Sequence, residues 1–175
     1  NRCVNPDIEF LNELRPEVIE LVTKQCSMEK LVMEHTMFPS YGRFLPNAKK
    51  QEAYKTLLSM HGNFNNLLSI PKNQRGKGRK LRYCPLCVKE DRKLYGETYW
   101  HRVHQIQGLQ VCSIHGCYLM ESDISMDRKS TPGLWNAESV IPENPIERLC
   151  KDDREITLAK YICRVFKEEV QFENK

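Results

Sequence analysis

Apolar side chains recur at helical spacing at both ends of the chain, and the pattern changes in the middle. Near the start, Pro16 stands where a first-turn proline belongs, with Val18, Ile19, Leu21 and Val22 behind it, which predicts a short helix. Ser27 is placed to cap a second helix with an apolar face of Met28, Leu31 and Val32. That helix must stop before Pro39, because the residue preceding a proline is pushed out of the helical region. Residues 38–46 contain Phe38, Tyr41, Phe44 and two prolines and read as a bent aromatic connector. A third helix is predicted over 48–60, with Ala53, Tyr54, Leu57 and Leu58 inward and Gly62 as its stop. A short apolar turn over 64–70 closes this part. At the far end, Asp152 with Glu155 three residues on predicts a capping box. Ile156, Ala159, Ile162, Cys163, Phe166 and Val170 then mark an amphipathic helix that packs on the rest.

Between these ends the helical period is lost. Residues 71–80 hold a proline, two glycines and no large apolar side chain, the composition of a linker or exposed loop. A cysteine-rich segment runs over 83–120, and 123–145 reads as loop and short strand with Trp135 as an anchor. The predicted class is mainly α with a small zinc-stabilised β module of ribbon or knuckle type, a small α+β protein. Its expected divisions are a helical domain over 1–71, a basic loop with a zinc-finger module over 72–122, and a loop with a packing helix over 123–175.

Charge changes this picture at one place. Residues 1–71 carry eight basic and eight acidic side chains, 72–120 carry ten and three, and 121–175 carry nine and twelve. The net +4 of the 175-residue chain therefore arises wholly from the middle segment, whose field a polyanion feels over about a Debye length, ~8–10 Å. No apolar run approaches the ~20 residues of a membrane span, and no secretory signal is visible. The chain begins at Asn1, which is read as the start of a fragment. Four of the eight cysteines are scattered singly, at 3, 26, 150 and 163. Cys26 and Cys163 fall on apolar faces, where a thiol acts as a small hydrophobe. A disulfide framework is thus not expected, and a reducing cytoplasm is.

The chemistry lies in the other cysteines. Cys84-Pro85-Leu86-Cys87 and Cys112-Ser113-Ile114-His115 are two C-x-x-C/H pairs separated by 24 residues. Each suits a tight turn that aims two donors at one metal, and zinc favours four such donors in a tetrahedron. Four protein ligands close the shell, which makes the expected zinc structural. His101 and His104 compete as ligands or as neighbours of the ligands, but the reading preferred over ligation has one packed against the knuckles and the other facing solvent. Cys117, two residues past His115, alternates with it on a strand. His115 is preferred because it reproduces the spacing of the first pair.

Just ahead of this motif, Lys72, Arg75, Lys77, Arg79, Lys80 and Arg82 place six cations in eleven residues with no acid among them. Along an extended chain they fit phosphates, with a salt-dependent affinity from counterion release. The alternative is a solvated linker. No aromatic residue is interleaved, so stacking on single strands is not suggested. Phosphate contacts would position the protein without reading sequence.

Tyr83-Cys84-Pro85-Leu86-Cys87, Glu90-Asp91, Tyr95-Gly96-Glu97, Tyr99-Trp100, His104-Gln105, Gly108 and Val111-Cys112-Ser113-Ile114-His115-Gly116 together resemble the TniQ/TnsD family. Glu34-His35-Thr36-Met37-Phe38-Pro39 with Tyr41 and Leu45-Pro46 is similar to that family's segment ahead of its zinc motif. The resemblance covers roughly 30–120; it departs where Gln107 replaces a proline common before the glycine. It implies a transposition protein of the bacterial cytoplasm and nucleoid that is not an enzyme. Such a protein chooses the target by binding attachment-site DNA or a CRISPR surveillance complex. It then recruits an AAA+ ATPase that licenses the transposase. The resemblance also implies Cys84, Cys87, Cys112 and His115 as zinc ligands. Two other readings stand beside the targeting adaptor. One is a zinc-dependent nuclease with His101 or His104 activating water, disfavoured because Glu90, Asp91 and Glu97 form no recognisable catalytic set with histidines. The other is a zinc-stabilised interaction domain without DNA contact.

Overall fold

The computed structural model describes residues 9–10, 14–60, 68, 78–126 and 135–172. The chain divides into two compact units, 1–75 with 169–175, and 76–168. The expected turn over 64–70 (Leu68 apart), the stop at Gly62, and Lys72, Arg75 and Lys77 lie outside the described residues.

Among the described residues the first unit holds four helices, α1 (Pro16–Thr23), α2 (Met28–His35), α3 (Phe38–Gly42) and α4 (Asn47–Leu58). Pro16 takes the first turn of α1, and Ser27 Oγ accepts from the backbone N–H of Lys30 at 3.2 Å to cap α2. The packing lies on α2–α4: Val32, Phe38, Ala53 and Leu57 are fully buried, together with Phe10. The apolar pattern overstated α1, which buries no residue and leaves Leu21 63% exposed. The aromatic connector also contains a helical turn, α3, because Pro39 fits a first-turn position as readily as it ends a helix. Phe38 lies so close over Gly42 that a Cβ there would sit 2.7 Å from its ring. Residues 169–172 return to this unit: Lys50 Nζ donates to the Gln171 carbonyl at 2.7 Å, and Phe172 packs on Tyr54 with ring centroids 4.9 Å apart.

In the second unit, β1 (Lys80–Tyr83) pairs antiparallel with β2 (Met120–Ser125), Arg82 opposite Glu121 and Tyr83 opposite Met120. The chain leaves β1 at Cys84 and enters α5 (Pro85–Tyr95) at once. The expected β module therefore carries a helix directly after its first cysteine, since Pro85 is pre-set for a first helical turn. A 3-10 turn over Arg102–Gln105, the short α6 (Ala137–Val140) and α7 (Asp153–Lys167) complete the unit. Tyr83, Val88, Ala137 and Ile141 form a small core flanked by Trp100 and Met120. Arg92, on α5, ties α6 and its exit to this core. Its guanidinium donates to the carbonyls of Ile141, Pro142 and Glu143 and pairs with Glu138. Trp135 is fixed through its backbone, its carbonyl accepting from Trp100 Nε1 at 2.7 Å while its ring stays 44% exposed.

α7 buries Ala159, Cys163 and Phe166, as its period predicts. Asp152 caps it, accepting from the Arg154 N–H at 2.8 Å. The reciprocal arm of the expected box does not close: Glu155 Oε2 instead accepts from the Cys150 thiol at 3.4 Å. Asp152→Ala is therefore expected to cost about 1 kcal/mol, the worth of a single N-cap bond. Glu155→Ala should leave the helix start intact and disturb the Cys150 contact. Urea unfolding of both variants, followed by the helical signal, separates the two.

Candidate metal centre

Three short stretches of backbone bring the sulfur atoms together. Cys84 directly follows β1 and stands at the N-cap of α5; Cys87 sits in the first turn of that helix. Cys112 opens a tight turn in which its N–H donates to the Cys117 carbonyl at 2.8 Å and the Gly116 N–H to the Cys112 carbonyl at 2.9 Å. Gly116 has φ 61°, a left-handed conformation that lets the chain reverse immediately after His115. The turn is anchored from outside by the Cys150 N–H, which donates to the Gly116 carbonyl.

The donor atoms of Cys84, Cys87, Cys112 and His115 all lie within 4.8 Å of one another. The Cys87 and Cys112 sulfurs are 3.7 Å apart. His115 Nδ1 lies 3.7, 3.4 and 3.8 Å from the sulfurs of Cys84, Cys87 and Cys112. A tetrahedral ion with bonds of ~2.3 Å to sulfur and ~2.1 Å to nitrogen requires edges of about 3.8 Å and 3.6 Å. The residues fit a small tetrahedral metal ion.

Electrostatics point the same way. Cys112 is pushed far below the ordinary thiol range by hydrogen bonds from Cys84 and then Cys87. The same bond holds Cys84 up, to about 12, and raises Cys87 further. Three buried thiolates at this spacing would repel one another, and a dication is what would let all three ionise.

Outside the four donors, the second ring nitrogen of His115 is fixed as well. Its Nε2 lies 3.0 Å from Glu90 Oε1, so Nε2–H donates to the carboxylate and Nδ1 faces the sulfurs. Burial works against the His115 imidazolium, but the bonds to Glu90 and Cys112 outweigh it and raise its pKa. Glu90 was not singled out from sequence as part of the site. The available signal was its place three residues after Cys87 on a helix, which puts the two on one face. Carboxylate partners of this kind orient the ligand. Glu90→Gln is expected to weaken metal binding about 10-fold or more, measured by competition with a chromogenic chelator. An unchanged affinity would remove Glu90 from the site.

The competing side chains are now placed. His104 is 2% exposed, with Nε2 3.7 Å from the Cys87 sulfur, and burial holds its pKa down. It is a neutral ring packed against the cluster. His101 does not face solvent: its Nε2 pairs with Asp91 at 2.8 Å, and Asp91 also accepts from Thr98 Oγ1. Cys117 is fully buried beside the three other cysteines, yet it is outside the set of mutually close donors.

Of the six cations ahead of the motif, Arg79, Lys80 and Arg82 are described, and two are engaged within the unit. Arg79 Nη2 donates to the Gln105 carbonyl at 2.9 Å. Arg82 donates to the carbonyls of Leu109 at 2.5 Å and Ile106 at 2.7 Å. Lys80 is 44% exposed and lies 3.6 Å from the exposed Asp123.

A family model described as TniQ matches residues 12–119. The Escherichia coli protein described as transposon Tn7 transposition protein TnsD is 30% identical over 95 residues. That alignment takes in 54% of this chain and 19% of the relative, so the chain spans about a fifth of the relative's length. Among the described residues no helix is long and apolar enough to cross a membrane.

Proposed function

From the premise that this chain belongs to the TniQ family, we propose that it is a zinc-stapled targeting adaptor of DNA transposition. It binds target DNA, or a CRISPR surveillance complex, and recruits an AAA+ ATPase that passes the target to the transposase. Its place of action is the bacterial cytoplasm, at the nucleoid. The observation that carries the reading is the four-donor cluster inside the segment matched by the family model. The donors of Cys84, Cys87, Cys112 and His115 gather within 4.8 Å of one another, and the Cys87–Cys112 edge and the three edges to His115 come close to the lengths zinc requires.

With four protein donors, no position is left for a substrate or an activated water, so the metal's role is structural and the protein acts by binding. The test is capture of the cognate AAA+ ATPase by the tagged, zinc-loaded chain, with and without DNA. Capture that DNA strengthens supports the adaptor. Absence of capture in both arms defeats it.

A second reading, an interaction module without direct DNA contact, draws on the engagement of Arg79 and Arg82 by carbonyls. A mobility shift separates the two. If the loop carries DNA, replacing Lys72, Arg75, Lys77 and Lys80 by Gln weakens a salt-sensitive shift. If wild type gives no shift at any salt while capture persists, the interaction module is the correct reading.

A further inference from the structure

A second cationic surface lies within the 76–168 unit, beside the metal turn. Lys160, Arg164 and Lys167 follow at i, i+4 and i+7 on α7 and share one side of the helix. They line an open groove of about 440 Å³ together with Ser113, Cys163 and Glu168. Ser113 belongs to the Cys112–His115 turn, and the helix packs on that turn: a Cβ at Gly116 would meet Ile156 Cδ1 at 3.4 Å. One wall of the groove is thus the metal turn and the other a row of three cations. No acid falls between Ile156 and Lys167 in sequence, and among the described residues Glu168 is the one acid lining the groove.

Cations near a helix C-terminus complement the backbone dipole, which accounts for Arg164 and Lys167 in the last turn. It does not account for Lys160, nearly two turns from the end, nor for a groove closed on its far side by Ser113. The Arg164–Glu168 contact is 3.8 Å long and both side chains are more than half exposed, so it holds Arg164 weakly. Arg164 also lies over the exposed ring of Tyr161, 5.3 Å from its centroid.

We propose that this groove holds the phosphodiester backbone of DNA, beside the metal turn. The proposal rests on the target-DNA reading above and assigns the contact to residues outside the basic loop. Seven residues of helix span ~10 Å, and one DNA strand presents a phosphate every ~3.4 Å along the axis. The row therefore spans about three phosphate steps, enough for each of the three cations to meet a phosphate of its own. Lys160 and Lys167 would meet phosphate as point charges, and the Arg164 fork matches phosphate geometry in a bidentate manner. Contacts of this type add affinity without sequence preference.

The experiment is fluorescence anisotropy of the zinc-loaded full chain with two duplexes of unrelated sequence, between 50 and 200 mM salt. The triple variant Lys160→Gln/Arg164→Gln/Lys167→Gln is expected to lower the slope of log affinity against log salt by about two to three. Its affinity at the lowest salt should fall about tenfold or more, equally for both duplexes. Glu168→Gln should tighten binding, a gain that no folding defect produces. Stoichiometric zinc and an unchanged melting curve establish that the variants are folded. If the triple variant keeps the wild-type slope, the groove assignment is overturned while the target-DNA reading survives. If it loses ATPase capture and keeps DNA binding, the groove receives an acidic protein surface and the proposal fails. If wild type binds neither duplex, the target-DNA reading itself fails.

Discussion

Removing the metal should unfold the 76–168 unit. A chelator is expected to abolish its cooperative melting and to bring the amides of residues 80–120 into rapid hydrogen exchange. The reason lies in how little else joins these segments. Among the described residues the sheet has two strands, a size that is marginal by itself in water. The core of Tyr83, Val88, Ala137 and Ile141 is small. The end of β1, the first turn of α5 and the Cys112–His115 turn converge at their sulfur and imidazole donors. Binding energy at structural zinc sites is on the order of 10 kcal/mol, comparable to the whole stability of an ordinary domain, ~5–15 kcal/mol. Cys112→Ser should reproduce the chelator's effect. Cys117→Ser should retain one equivalent of metal, because Cys117 fills space beside the cluster and is not among its donors. A chelated protein with an unchanged melting curve, or purified protein without stoichiometric zinc, would falsify the assignment.

How much of this was legible in the sequence depends on the range of the interaction. The grouping of the four donors was readable because two turns with fixed x-x spacing each determine their own geometry, leaving only one long-range event, the meeting of the two turns. α2, α4 and α7 were readable for the same reason, each through a local period and, for α2 and α7, a capping side chain. The role of α1 was not, since Val18 and Leu21 share an apolar spacing with core residues and only tertiary packing decides whether that face is covered. Nor did the spacing reveal that Cys84 hands directly into a helix. A C-x-x-C turn is compatible with strand or helix on its far side, and Pro85 was the local signal. Glu90 was invisible as a partner of His115 because the two are 25 residues apart and meet only after the donors have assembled. The loop cations illustrate the same limit: charge density is a property of sequence, but whether a guanidinium meets solvent or a carbonyl is a property of the fold.

That limit is testable at Arg82. Arg82→Met is expected to destabilise the 76–168 unit by about 3 kcal/mol, with the metal still bound. The guanidinium bridges the carbonyls of Ile106 and Leu109, two buried residues on the segment that leads from the 3-10 turn to Cys112. Gln105 reinforces the same junction: its Oε1 accepts from the Arg82 N–H, and its Nε2 donates to the Arg82 carbonyl. Methionine keeps the aliphatic bulk but leaves the Leu109 carbonyl without its donor, worth about 1–3 kcal/mol when buried and unsatisfied, and leaves the Ile106 carbonyl only the longer bond from the Leu109 N–H at 3.2 Å. Lysine should recover part of the loss at most, because a single ammonium does not fork to two acceptors. Burial already pushes the Arg82 pKa down, with Arg79 acting in the same direction, yet an arginine starts so high that it stays charged near neutrality. Thermal unfolding and DNA binding measured on one preparation distinguish a structural arginine from a phosphate contact. A structural role predicts lower stability and an unchanged salt slope in the protein that remains folded. A variant as stable as wild type whose salt slope falls by about one would return Arg82 to the DNA surface and remove it from the frame of the metal centre.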